Sequence, residues 1–163
     1  MKALILGMGN PILSDDGVGL RVARALEGRF AGVDVRTSAL IGLDLLDIVA
    51  NYDQVFVIDA IQDGSRLPGT VVKLAAGEGA LHLFSSHGMH FFEILQLGKE
   101  AGVAVPEVAG IYGVVICPEC PFGEKLSPLL GRRQAGIVRQ IAEDVGRGLN
   151  VPADIDALLD YPE

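Results

Sequence analysis

An α/β fold built on a largely parallel sheet is the class that this sequence predicts, and three observations predict it. Short apolar runs alternate with amphipathic segments along the chain, the pattern of a parallel sheet covered by helices on both faces. The 163 residues, 50% of them hydrophobic, suffice for one compact core and are too few for two domains of ordinary size. The first apolar run also passes through a glycine-rich turn straight into a helical pattern.

Ala3-Leu4-Ile5-Leu6 marks a buried first strand over residues 2–7, and Val18, Val22, Ala25 and Leu26 recur at helical spacing in a first helix over 16–28. Val33-Asp34-Val35-Arg36-Thr37 alternates as a half-buried strand does, and Leu43, Leu46, Ile48 and Val49 supply a helix face within 42–50. Val55-Phe56-Val57-Ile58 is a second buried strand, expected to end in Asp59. Gly64 and Leu67-Pro68-Gly69 then turn the chain into an extra strand, Thr70-Val71-Val72-Lys73-Leu74. Residues 89–101 suggest a helix and 110–116 the last strand. A long helix over 128–148 presents Leu129, Leu130, Ile137, Ile141 and Val145 as its apolar face. One domain over residues 1–148 follows. The acidic tail over 149–163, with Pro152, Pro162 and four acidic residues among its last ten, is expected to pack loosely or fray.

The net charge of -8 and pI near 4.8 argue against a nucleic-acid or anionic-membrane partner, because phosphate surfaces repel such a chain. No run approaches the roughly twenty apolar residues of a membrane span, and Met1-Lys2 leads into a short strand rather than a signal peptide. Two cysteines, Cys117 and Cys120, are too few for a disulfide scaffold and fit a reducing compartment. A cytoplasmic location is expected.

The chemistry-bearing segment is Gly7-Met8-Gly9-Asn10-Pro11-Ile12-Leu13-Ser14-Asp15-Asp16-Gly17-Val18-Gly19. Its glycines invite a dinucleotide-binding reading. That fingerprint needs a further glycine where Ile12 stands and an acidic residue ending the second strand, and Asp15-Asp16 would repel a pyrophosphate. An aspartate at a helix start is fully explained by capping; two adjacent ones suggest that one caps while the other faces outward. Asp59 ends an apolar run at the same sheet edge, and a buried carboxylate there calls for a partner. Among His82, His87 and His90, His87 follows Ser85-Ser86 at the start of a helix. Two carboxylates and an imidazole form a mixed oxygen and nitrogen site suited to nickel, zinc, iron or manganese.

The pattern Gly7-x-Gly9-Asn10-x-x-x-x-Asp15-Asp16-x-x-Gly19 closely resembles that of the hydrogenase maturation endopeptidases. So do Val57-Ile58-Asp59-Ala60 with Pro68-Gly69, the Ser86-His87 step, Gly42-Leu43-Asp44-Leu45-Leu46 and Leu126-Ser127-Pro128. That family removes a short C-terminal extension from the large subunit of nickel-iron hydrogenases after nickel insertion. The resemblance implies a twisted sheet of about five strands between helices, a nickel-iron hydrogenase large-subunit precursor as partner, and Asp16, Asp59 and His87 as catalytic and metal-binding residues. Nickel would arrive with the precursor, and other divalent metals are expected to occupy the site in vitro. The base is either a metal-activated water assisted by a carboxylate or an aspartate acting directly. No nucleophile elbow, cysteine-protease signature or His-Glu-x-x-His helix is present. A nickel-dependent assembly protein without turnover and a metal-dependent small-molecule hydrolase remain alternatives. Cys117-Pro118-Glu119-Cys120 falls in a loop that varies in the family, and its cysteines are read as structural.

Overall fold

A computed structural model describes residues 1–39, 42–74 and 86–154, the side chains of residues 86–90 excepted. The strands are β1 (Ala3–Met8), β2 (Val33–Ser38), β3 (Gln54–Gln62), β4 (Val71–Leu74) and β5 (Glu107–Ile116). The helices are α1 (Val18–Ala25), α2 (Asp44–Val49), α3 (Ser86–Glu100) and α4 (Pro128–Leu149), with a 3-10 turn, Ser14–Gly17, before α1. One five-stranded sheet has the order β2-β1-β3-β5-β4. Its first four strands run parallel, and β4 closes the edge antiparallel to β5. The fold is thus a mostly parallel sheet flanked by helices.

Side-chain alternation along the strands divides the core into two layers. Ile5, Phe56, Ile58, Tyr112 and Val114 meet Val18, Val22 and Leu26 of the α1 segment and Ile137, Ile141 and Val145 of α4. On the other face Leu4, Leu6, Met8, Val55 and Val57 meet Leu45 and Val49 of α2 and Phe91, Ile94 and Leu95 of α3. Each such aliphatic side chain contributes about 1.5–3 kcal/mol when fully buried, so the central strands are the most firmly held part of the molecule. Among the described residues no helix is long and apolar enough to cross a membrane.

Several boundaries differ from the sequence expectation, each for a local reason. The first helix starts at Val18 rather than residue 16, because the 3-10 turn that opens at Ser14, itself at φ 45°, winds the chain more tightly than an α-helix. It stops at Ala25, three residues early, in a turn that leads to Gly28 at φ 74°. β3 does not end at Asp59: it continues to Gln62, since β5 still pairs with it from Asp59↔Gly113 to Gln62↔Ile116. β5 begins at Glu107, earlier than its apolar run, because the same ladder starts at Gln54↔Glu107. α4 runs to Leu149 and is capped by Asn150 in the left-handed conformation. The chain beyond folds back: Val151 N–H donates to Gly146 O and Asp154 N–H to Arg29 O. The rest of the acidic tail, residues 155–163, lies outside the described residues.

Candidate active site

The site is built where β1 gives way to α1. Gly9 has φ 148°, and a Cβ there would collide with the carbonyl oxygen of Asp16, so only glycine lets the 3-10 turn fold back onto the strand end. Asn10 holds the intervening turn, its side chain accepting from Ile12 N–H at 3.1 Å. The Asn10 N–H in turn donates to Asp16 Oδ2 at 2.9 Å. Asp16 is half-buried, and this bond anchors its Oδ2.

Asp59 is rooted a short step away. The ladder between β1 and β3 stops at Gly7↔Ile58, so Asp59 is the first residue of β3 beyond the reach of β1. Gly19 of α1 takes that space: a Cβ on it would lie 2.5 Å from Ile58 O and 3.1 Å from Asp59 Cα. The helix that follows Asp16 therefore rests directly on the backbone that carries Asp59. Asp59 is fully buried, and its Oδ1 accepts from Ala60 N–H at 2.8 Å. A buried carboxylate costs several kcal/mol unless partnered, and Asp59 engages further groups besides Ala60. Both acids thus spring from adjoining backbone at the carboxyl edge of the sheet, where open α/β folds gather their chemistry.

Asp15 turns the other way. It is 5% exposed, and its Oδ1 accepts from Ser127 N–H, at the N-cap of α4, at 2.6 Å. The segment between β5 and α4 is stitched along the Asp15-Asp16 loop. Gly123 N–H donates to Ile12 O at 2.9 Å, Ser14 N–H to Gly123 O at 2.7 Å, and Ser14 Oγ to Lys125 O at 2.9 Å. Cys120 lies against the backbone of Asp16 within this strap. Burial pushes its thiol above the ordinary range; a hydrogen bond from the Asp16 backbone opposes the shift, and the charges of Asp15 and Asp16 add to it. An open groove of about 820 Å³ beside the strap is lined by Ser14, Asp15, Cys117, Phe122, Leu126 and Leu129.

The structure therefore brings Asp16 and Asp59 to one edge. His87 stands in the first turn of α3, and its side chain, like that of His90, lies outside the described residues, as does His82 altogether. Among the described residues no three His, Cys, Asp or Glu side chains gather as a metal cluster. The closeness of Cys120 to Asp16 and the strap itself are not readable from sequence spacing, although Ser127-Pro128 carries a helix-start signal, a capping serine followed by proline.

Residues 20–143 match the sequence pattern of the HycI hydrogenase maturation proteases. The chain belongs to that family. It is 36% identical over 137 residues to the hydrogenase 2 maturation protease of Escherichia coli (strain K12), covering 80% of this chain and 79% of that protein. The solved structure of the E. coli hydrogenase maturating endopeptidase HybD superposes with a TM-score of 0.77 at 27% identity, over 94% of this chain and 96% of that one. The [NiFe] hydrogenase maturation protease HybD of Thermococcus kodakarensis gives 0.67 at 28% identity, over 89% and 99%. This maturation protease is accordingly a hydrolase, a processing endopeptidase, and its five-stranded sheet is the fold of those relatives.

Proposed function

We propose that this maturation protease removes the C-terminal extension from the large-subunit precursor of a nickel-iron hydrogenase once nickel has been inserted, and that Asp16, Asp59 and His87 recognise the nickel carried by that substrate. The observation that carries the reading is the placement of Asp16 and Asp59 on adjoining backbone, one half-buried and one fully buried. Carboxylate oxygens and an imidazole nitrogen are donors that a divalent nickel accepts in addition to the ligands it already has. A substrate-borne metal brings ligands of its own, so Asp16, Asp59 and His87 have only to complete its coordination shell. A carboxylate held next to the bound precursor also supplies a base for hydrolysis of the scissile peptide. The free cysteines Cys117 and Cys120 agree with work in the reducing cytoplasm.

The test is incubation with nickel-loaded and nickel-free precursor, the products weighed by mass spectrometry. Release of the C-terminal extension from the loaded form alone is expected, and it should drop by about a hundredfold or more in Asp16→Asn and Asp59→Asn. Equal cleavage of both forms overturns nickel recognition. Binding of the loaded precursor without cleavage reassigns the chain as an assembly protein, and inertness toward both forms removes the precursor as substrate.

A further inference from the structure

Eight large hydrophobic side chains are exposed among the described residues, and five of them, Ile12, Leu43, Leu67, Phe122 and Leu129, lie at the carboxyl edge of the sheet. Four of those five sit on segments that are bonded to one another or share a groove. Ile12 and Phe122 sit on the two segments bonded through Gly123, where Gly123 N–H donates to Ile12 O. Phe122 and Leu129 line the same groove. Beyond Leu129 on α4, Arg133 donates to Pro68 O at 2.8 Å, and Pro68 directly follows Leu67. The turn at Leu67 is further pinned where Gly69 N–H donates to Val115 O at 2.7 Å. The exposures are 50% for Ile12, 85% for Phe122, 39% for Leu129 and 72% for Leu67, too much apolar surface at one end of a molecule for a role in its own core.

We infer that this apolar arc is the surface on which the folded precursor docks, so that the maturation protease holds its substrate largely by contacts away from the scissile bond. The inference rests on the function proposed above and names the surface that serves it. The arc borders the loop that bears Asp16 and draws on the connections after β1, β3 and β5 and on the start of α4. An extended peptide of a few residues fills one groove; an arc spread over four segments matches the broad patch of a folded protein, where about 800 Å² per partner is usual and apolar anchors dominate. The charges lining the groove are mixed, with Glu119 and Glu124 among Lys125 and Arg132, which favours apolar fit over charge in the choice of partner. Cleavage energy drawn from such remote contacts appears as tighter binding of the whole precursor than of its tail.

The experiment compares the wild-type chain with Leu67→Ser/Phe122→Ser, two exposed positions whose replacement leaves the core untouched, using nickel-loaded precursor and a synthetic peptide spanning the cleavage point. For the double variant the expected result is a Kd and a KM for the precursor at least tenfold higher, with kcat within twofold and the thermal midpoint unchanged. Values for the precursor equal to those of the wild type overturn the inference. Precursor binding is measured by calorimetry independently of cleavage, so binding lost in the variant while neither protein cleaves supports the arc and rejects the proposed function. Failure of the wild type to bind the precursor rejects both. A wild-type dimer in sedimentation that the variant abolishes assigns the arc to self-association and likewise overturns the inference.

Discussion

Asp15 Oδ1 accepts a hydrogen bond of 2.6 Å from the backbone N–H of Ser127, 112 residues further along the chain. The bond joins the turn after β1 to the start of α4 and places a negative charge at the helix end that favours one. Ser127 Oγ caps the same helix by accepting from Leu130 N–H at 3.4 Å, and Pro128 occupies the first turn. This bond commits the Asp15 carboxylate to the scaffold. Asp15→Ala leaves the Ser127 N–H without its charged acceptor and should cost about 1–3 kcal/mol in urea unfolding. Cleavage of the precursor, assayed well below the melting transition, should survive. An unchanged unfolding midpoint with abolished cleavage would reverse the roles assigned to Asp15 and Asp16.

Gly19→Ala tests whether close backbone approach is what sets Asp59 beside the α1 start. The added Cβ meets Ile58 O at 2.5 Å and Asp59 Cα at 3.1 Å, atoms of a buried strand that cannot swing aside. Overpacking against backbone should cost about 3 kcal/mol and lower cleavage as α1 lifts from β3. Gly131→Ala is the control: nothing lies within 4 Å of its added Cβ, and α4 should gain about 0.5–1 kcal/mol from the better helix former. If both variants unfold at the wild-type urea midpoint, the contact does not constrain the site.

Much of this architecture is legible in the sequence because hydrophobic burial leaves a periodic trace. The central strands stand out as apolar runs, and β2, at the sheet edge, as an alternating one. Asp59 misleads as a strand end, since a charge breaks the apolar run, yet the ladder to β5 is a backbone property that the side chain does not interrupt. The shared edge of Asp16 and Asp59 is readable because each follows an apolar run that belongs to one parallel sheet. The bond from Ser127 to Asp15 and the strap along Ile12 and Ser14 are not, because each uses at least one backbone group, which bonds whatever side chain its residue carries and leaves no spacing to detect.

The two cysteines should differ in reactivity. Cys117 is exposed, whereas Cys120 is partly buried and donates to Cys117 O at 3.7 Å. Burial first, and then the Asp15 and Asp16 charges, hold the Cys120 thiol above its ordinary range, so little thiolate forms near neutrality. Iodoacetamide at pH 7.5 (about one unit below the free thiol value) should modify Cys117 well before Cys120 by peptide mapping. Asp16→Asn removes one of the opposing charges and should speed Cys120 modification while leaving Cys117 unchanged. Equal modification rates in the wild type would place the Cys120 thiol outside this acidic environment.

Acid sensitivity should depend in part on Asp144 of α4. Its carboxylate lies 2.7 Å from Lys73 Nζ on β4 and 2.5 Å from Arg147 Nη2 one turn on. Partial burial pulls the carboxyl upward, but the Lys73 ammonium and the Arg147 guanidinium beside it outweigh burial and hold the group below its ordinary 3.8. Burial and the nearby Asp144 charge correspondingly push the Tyr112 phenol far above its usual range, so it stays neutral. A carboxyl lowered by folding stabilises the native state above its ordinary value, and that contribution disappears as the pH falls through the lowered one. Asp144→Asn should therefore be less stable than the wild type at pH 7. The difference is at most about 1 kcal/mol, because Lys73 and Arg147 are largely exposed and solvent screens the pair. In urea unfolding between about pH 7 and pH 3 the two stabilities should converge below the ordinary aspartate range. A gap that stays constant across that interval would mean that the loss comes from packing rather than from the charge.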